Sequence, residues 1–516
     1  GRLQSHSLTG IKGTDGANGS EGDDGQDGGD AAGGAIYNAA GTLMISNTVF
    51  EANSVTGGVG GKGGNGGSGI GGDGGDGGNG GVAGGAAIFS DGGTVTILNS
   101  TFTNNVAKGA LAGLGGSGTG ILGFNGIAGQ AGDASGGAIA GRNAAIQISG
   151  CTFVANQVMG ANGADGVIGL RNLEGDPGRN GGNAAGGAIY STGNLSVTNS
   201  TFYLNSATGG NGGVGGAGGS GSFGEDGGRG GDGGVASGGA VEATALSTII
   251  HATFSNNSLT GGTAGTGGAG GGVLGEEGSD GSAGATLGAA INAPGARVNI
   301  ANSILATASA PLISGAIFDL GGNLTTESNS ILNPDISFLR RSPRLSPLAN
   351  NGGPTATMAL STNSPAVDKG VSAYCVLTDQ RGSNRVAGCD IGAYEIIGPV
   401  TNIVIAPPPT NFMRLQTTFA LSNANLSLLW PTGYTNVYLQ FSTNLSQTNW
   451  TIAGNKFEFQ GTNNLFKVSA TNVPRLFFRL EALTNISLTD TNFFPPPPGG
   501  GGPPSPGGSG GPPIPQ

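Results

Sequence analysis

The sequence predicts an all-β chain, a right-handed parallel β-helix with glycine-rich, polyproline-II-like inserts and a small C-terminal β-sandwich. Three observations predict it. A motif of small residues ending in one aliphatic returns every 50–52 positions, an alternating stretch follows each copy, and a Phe-x-x-Asn signature closes the unit.

The first motif is Gly33-Gly34-Ala35-Ile36, with copies at 136–139, 186–189 and 238–241 and looser ones at 85–88 and 288–291. Its aliphatic residues Ile36, Ile88, Ile139, Ile189, Val241 and Ile291 stand 52, 51, 50, 52 and 50 positions apart. Self-similarity at such a period marks a repeat architecture, because one unit cannot bury its own apolar face and neighbouring units must stack. Leu43/Ile45, Val95/Ile97, Ile146/Ile148, Leu195/Val197 and Val298/Ile300 then share one parity, with Thr, Ser, Asn and Gln on the other. Period two with branched aliphatics is the signal of a strand. Ser247 interrupts this pattern in the fifth repeat, which makes that rung weaker.

The closing signature appears as Phe50/Asn53, Phe102/Asn105, Phe153/Asn156, Phe202/Asn205 and Phe254/Asn257. If each repeat is one coil lying about 4.8 Å above the last, the aliphatics form one internal ladder, the Phe residues a second and the Asn residues a third. A buried Asn is costly unless paired, and stacking lets each amide bond to its neighbours above and below. The Asn ladder therefore reads as structural rather than catalytic.

The pairing of Gly-Gly-Ala-Ile with Phe-x-x-Asn resembles the repeat of the polymorphic outer membrane proteins of chlamydiae. It covers about residues 33–310, with a sixth, degraded copy in which Ile304-Leu305 replaces Phe. The resemblance implies a pectin-lyase-like β-helix displayed at a bacterial surface, many members being adhesins. This chain departs from that family in its long glycine inserts and in showing no recognisable membrane barrel.

The inserts fall at about 57–84, 109–135, 160–185, 209–237 and 261–287, each just after the Phe-x-x-Asn strand. Residues 57–84 run largely as Gly-Gly-x triplets, whereas 13–28 run as Gly-x-x. Two readings stand side by side. The inserts are flexible solvated linkers, or they run out and back as polyproline-II-like arms packed at the rung spacing, where glycine permits close backbones. Glycine-rich mycobacterial surface proteins resemble them in composition. Gly71–Asp76 and Gly227–Asp232 fit the start of a calcium-binding nonapeptide but lack the large apolar residue that should follow. The expectation is no metal and no cofactor, with the acidic residues keeping the inserts soluble.

Residues 1–32 read as the end of a preceding repeat with its insert, 33–335 as the β-helix, and 336–398 as its C-terminal cap. That cap resembles the closing segment of secreted bacterial β-helix proteins. The spacing of Cys375 and Cys389 admits a disulfide, with two free thiols as the alternative; Cys151 stands where other repeats carry Ser or Thr and reads as a small filler. Asp379, Arg381, Arg385, Asp390 and Glu395 concentrate charge, either as an acid/base site or, the reading we favour, as a salt-bridged cap. Residues 399–410 form a Pro-rich linker. Short strand-like runs over 411–486 suggest the sandwich, with Trp430 and Trp450 as core residues rather than sugar platforms. Residues 487–516 are a Pro/Gly tail expected to be disordered.

A net charge of −11 with 20 Lys and Arg argues against nucleic acid, and no apolar run is long enough for a transmembrane helix. The outward strand positions Thr94/Thr96, Gln147/Ser149 and Ser196/Thr198 hold no carboxylates of the kind polysaccharide-cleaving β-helices need. The expectation is therefore a secreted or cell-surface scaffold, structural or adhesin-like and not an enzyme, placed outside the cell or at the outer membrane. Its ligand would be a cell-surface, matrix or glycan partner, with self-association as a further route. Carbohydrate binding is the alternative function.

Overall fold

The computed structural model describes residues 1–396 apart from 69–70, 121–122, 221–223, 307–310, 327–337 and 386–387; beyond 396 it describes only seven strands. The chain divides into two compact units, 1–398 and 399–516.

The first unit is a stack of parallel rungs. Residues 83–108 show one rung: short strands Ala83–Gly84, Ile88–Asp91, Thr94–Leu98, Thr101–Thr103 and Val106–Lys108. Each pairs in parallel with its counterpart in the rungs before and after, so the pairing offset equals the sequence repeat. Four sheets result. The long sheet has 12 strands, the Phe sheet nine, and the exit and return sheets, which lead into and out of the inserts, six each. Ile36, Ile88, Ile139, Ile189, Val241 and Ile291 are in register, as are Phe50, Phe102, Phe153, Phe202, Phe254 and then Leu305. The five Phe rings stack at centroid distances of 4.7–4.8 Å and have no solvent exposure. Their spacing is the strand spacing itself.

Corners are made by residues that tolerate the left-handed region. Gly85 and its counterparts Gly33, Gly136, Gly186, Gly238 and Gly288 have φ of +56 to +71°; a Cβ at Gly85 would sit 2.1 Å from the Ile88 carbonyl. The next corner uses Asn47, Asn99, Asn199 and Asn302, with His251 in the same place on the fifth rung.

Counting the stretch 13–28 as the first of six, the inserts leave each rung as two arms joined by backbone hydrogen bonds. In the second insert Gly57, Gly60, Gly63 and Gly66 donate to Lys108, Leu111, Leu114 and Ser117 of the same arm one rung on. Gly58, Gly61 and Gly64 donate instead to Gly29, Gln26 and Asp23 of the opposite arm one rung back. The bonds recur every three residues, and two of each three N–H groups are thereby paired inside the slab. The third N–H faces outward, and where the preceding rung carries an Asp or Asn at that place the side chain accepts it: Lys62 donates to Asp15 Oδ1 (2.9 Å), Ile127 to Asp76 Oδ1 (2.8 Å) and Val214 to Asp165 Oδ1 (2.8 Å). The acidic residues that we expected to serve solubility thus also close the backbone's hydrogen-bond account.

The slab is not continuous. Inserts one to three form one stack and inserts four to six another. Between the third and fourth, the described backbone bonds of the arms are confined to the root, at Gly109 to Met159, Ala161 to Gly132 and Ala134 to Asn183. Farther out, among the described residues, side chains cross instead, Arg179 Nε to the Ala128 carbonyl (2.6 Å) and Asn125 Nδ2 to the Ile168 carbonyl (3.0 Å). The sequence follows this division. Gly58, Gly61 and Gly64 of the second insert correspond to Ile11, Thr14 and Ala17 in the first and to Ala161, Ala164 and Val167 in the fourth, of which Ala161 at the root bonds to the backbone of the third insert. Gly74, Gly77 and Gly80 correspond to Asn125, Ala128 and Ala131 at the forward face of the third. Beyond the root, where Ala110 and Ala161 stand, glycine is kept where two backbones meet, as at Gly113 and Gly116, and relaxed between the third and fourth inserts.

Residues 351–396 do more than close the end of the solenoid. They run back along the outside of the Phe sheet: Thr355 Oγ1 donates to the Gly150 carbonyl (2.8 Å), Thr201 Oγ1 to Gln380 Oε1 (2.7 Å), and Ala393 N to Thr253 Oγ1 (3.0 Å). The end of the stretch read from sequence as β-helix, residues 327–335, lies outside the described residues, as does Trp450. In the second unit, the described strands form two antiparallel sheets, one of four strands and one of three. Trp430 lies in the strand Asn425–Pro431 of the four-stranded sheet.

Candidate functional site

Asn53, Asn105, Asn156, Asn205 and Asn257 follow a third left-handed corner, at Ala52, Asn104, Ala155, Leu204 and Asn256, and point inward with no exposure. Asn105 Oδ1 accepts from the Asn53 backbone N–H (3.1 Å) and side chain (2.9 Å), while its Nδ2 donates to Asn156 Oδ1 (2.8 Å) and the Phe50 carbonyl (3.1 Å). All four bonding directions of the amide are used, leaving none for a ligand. A parallel column holds Ser100, Cys151 and Ser200, in which Cys151 Sγ takes the Ser100 N–H at 3.4 Å. Burial pushes this thiol up to about 12, so it stays protonated and inert.

The charged group of the C-terminal segment is buried against the Phe sheet. Arg381 pairs with Asp379 (2.8 Å) and Arg385 with Glu395 (3.0 Å); the side chains of the second pair are each 1% exposed. Asp379 also accepts from the backbone of Arg381, Ser383 and Glu395. Burial raises the Asp390 carboxyl to about 6 and lowers the Arg385 guanidinium. Such an arrangement ties a loop to a sheet.

Cys375 and Cys389 are joined by a disulfide. His251 packs beside it, with Nε2 3.8 Å from Cys389 Sγ and Nδ1 3.2 Å from the Gly392 carbonyl. Burial, and secondarily the charge of Arg385, push the imidazole down to about 3, so it is neutral at physiological pH. These three residues are the one described grouping of His, Cys or acid close enough to share an ion. With both sulfurs in a disulfide neither is a thiolate ligand. Asp76 and Asp232, the acids of the calcium-like motifs, accept backbone N–H groups instead.

Sequence reasoning missed a groove on the outer side of the first strands of the long sheet. The residue after each motif aliphatic points outward, and these positions stack in register as Tyr37, Phe89, Ala140 and Tyr190. Tyr37 and Phe89 stack at 5.5 Å with 16° between planes, and Tyr37 is 54% exposed. Phe89 lies on Gly84, where a Cβ would approach two ring carbons to 3.1 Å. Arg142 sits 5.9 Å from the Phe89 centroid and is held by Asp91 (Nε to Oδ1, 2.8 Å). The groove measures about 580 Å³ and includes Asp30, Ser135 and Thr192. The available signal was an aromatic immediately after the aliphatic in three of the first four repeats.

Compared with known proteins, the chain matches no family model, no curated protein and no solved structure. Among the described residues no helix is long and apolar enough to cross a membrane.

Proposed function

We propose that this chain is a secreted or surface-displayed, non-catalytic, adhesin-like scaffold of a bacterium. In this reading a right-handed β-helix carries a polyproline-II-like glycine slab as a rigid display platform, and a small β-sandwich follows. The observation that carries it is the hydrogen-bonding of the inserts. Within each stack, arms of a dozen residues are joined to their neighbours by backbone bonds every third residue, while their third positions project on two broad faces. Exposed apolar residues there include Val59, Leu111, Leu114 and Ile168, more than a solvated linker needs. The chlamydial passenger resemblance supports surface display, and the Cys375–Cys389 disulfide fits an oxidising compartment.

The test is retention under flow. Beads coated with the full chain should hold to collagen-, fibronectin- or mucin-coated glass better than beads carrying an unrelated acidic protein. The double variant Gly61→Ala/Gly64→Ala, which places a Cβ 2.0 and 2.1 Å from carbonyl oxygens of the first insert, should lose that retention. Wild-type beads that hold to none of the three surfaces would end the reading.

A further inference from the structure

We infer that the sulfurs of Cys375 and Cys389, once reduced, form with His251 a binding site for one thiophilic divalent ion of the zinc class. The ion and the disulfide are then alternative closures of the same loop against the solenoid. This inference stands apart from the slab and from surface display.

The place of the imidazole comes first. The left-handed corner before the Phe sheet holds Asn47, Asn99, Asn199 and Asn302, with Gly150 on the third rung and His251 on the fifth. Asn and Gly suit that backbone better than His, but of the three only His is a strong ligand for a zinc-class ion. The exception falls on the rung where the C-terminal segment brings two cysteines against the corner. His251 Nε2 is 3.8 Å from Cys389 Sγ, and the nitrogen and the two sulfurs all lie within 4.8 Å of one another.

Hydrogen bonds fix the tautomer. Nδ1 lies 3.2 Å from the Gly392 carbonyl, which can only accept, so Nδ1 carries the proton. Nε2 lies 3.2 Å from Asn302 Nδ2, which can only donate, so Nε2 carries the lone pair. That amide is held in this orientation, because its Oδ1 accepts from Val371 N (2.7 Å) and its Nδ2 donates to the Val371 carbonyl (3.1 Å). The imidazole thus presents its lone pair beside the sulfurs and rests its N–H on a backbone carbonyl, the outer support that metal-bound histidines use.

Distance and charge choose the ion. Tetrahedral zinc at ~2.3 Å from sulfur and ~2.0–2.1 Å from nitrogen sets S and N about 3.6 Å apart and two sulfurs about 3.8 Å apart. His251 and Cys389 are buried and already stand at 3.8 Å, whereas Cys375 is partly exposed, its Cα 6.1 Å from that of Cys389. Rotation of the Cys375 side chain therefore completes the set. Two thiolates cancel the charge of the ion, so the site adds no net charge beside Arg385, which Glu395 already neutralises. Calcium and magnesium, which take oxygen ligands, would meet sulfur and nitrogen instead.

The test uses the full chain and a trialkylphosphine. With one water, the phosphine converts the disulfide to two thiols and becomes the phosphine oxide, phosphorus losing the two electrons that the sulfurs gain. Binding of the ion then releases one proton from each thiol. After anaerobic dialysis against zinc, the reduced chain should hold one ion, and cobalt(II) in its place should show thiolate-to-metal charge transfer. The disulfide form should show neither. His251→Asn, which restores the corner residue of other rungs, should form the disulfide at wild-type yield when oxidised but bind zinc about 100-fold more weakly when reduced. Cys151→Ser should leave uptake unchanged, since that thiol lies in a separate column between Ser100 and Ser200. A reduced chain that takes up no zinc overturns the inference, whether or not its loop stays docked. So does uptake that survives His251→Asn, or equal uptake by the disulfide form.

Discussion

The wall of the β-helix and the slab of inserts share one rung spacing but satisfy it in opposite ways. In the wall, like side chains meet like: Phe50 through Phe254 stack ring on ring, and each Asn bonds the next. Inside the slab no side chain intervenes, and one backbone bonds another directly, Gly61 to Gln26 and Gly78 to Gly61 (both 2.8 Å). The wall is stabilised by apolar area removed from water. The slab buries almost none, so its order rests on paired N–H and C=O groups set against the large conformational entropy of glycine. The wall should therefore tolerate small changes of volume, and the slab should not tolerate any at its inner positions.

One methyl group tests this contrast. Adding it at Gly61 puts a Cβ 2.0 Å from the Thr14 carbonyl oxygen, between two backbones that cannot rotate away. Gly61→Ala should cost about 1–3 kcal/mol and abolish hydrogen-exchange protection of Gly58, Gly61 and Gly64, leaving the amides around Phe153 unchanged. Removing a methyl from the wall, Ile139→Val, should cost about 0.5–1.5 kcal/mol and leave both regions protected. Equal damage from the two substitutions would erase the distinction. Unprotected insert amides in the wild type would show that the slab is not ordered in solution.

The parallel all-β architecture was legible because ladders force repetition: a residue that must sit on its own kind recurs at the rung length, as Ile36, Ile88 and Ile139 do. The break between the third and fourth inserts was legible in principle. Ala161, Ala164 and Val167 replace glycines that the second and fifth inserts keep. Without knowing which arm lies behind which, however, that change looks like random drift in a low-complexity segment. The path of residues 351–396 along the Phe sheet rests on contacts such as Thr201 with Gln380, 179 positions apart and seen once, which no repeat announces. The groove was hidden for a related reason. Tyr37, Phe89 and Tyr190 are outward residues of a strand, a position where an isolated aromatic means little until stacking collects it with others.

The segment tied down on the Phe sheet should respond to acid in a manner the slab does not. His251 has a depressed folded-state value, so its contribution is full above the unfolded value of 6.5 and is lost as pH falls toward about 3. Asp390 is raised to about 6, so its contribution is present below the unfolded value of 3.8 and is lost as pH rises through about 6. The two oppose each other between pH 4 and 6 with nearly equal slopes, so protection of the Gln380, Ile391 and Gly392 amides should change little from pH 6 to 4.5. His251→Asn keeps a residue suited to the left-handed corner that Asn99, Asn199 and Asn302 occupy on other rungs. This variant removes the imidazole, so protection should instead rise modestly on acidification. A variant profile as flat as the wild type's would remove His251 from the account.

The smallest expected effect separates charge from hydrogen bonding in the slab. Asp76 Oδ1 accepts the outward N–H of Ile127 one rung on, at 2.8 Å, and the equivalent places one rung away on the same arms hold Asp24 above Asp76 and Asn65 above Ser117. Asp and Asn share the reach and the acceptor oxygen, whereas Glu is one methylene too long and Ser too short to present it in the same place. If the acceptor is what matters, Asp76→Asn should leave exchange at Ile127 unchanged, and Asp76→Ala should speed it about 2–5-fold, the size of one exposed hydrogen bond. If the carboxylate serves solubility alone, both substitutions should behave alike at Ile127 and differ from wild type only in aggregation. The slab's acidic character would then be a property of its surface rather than a part of its construction.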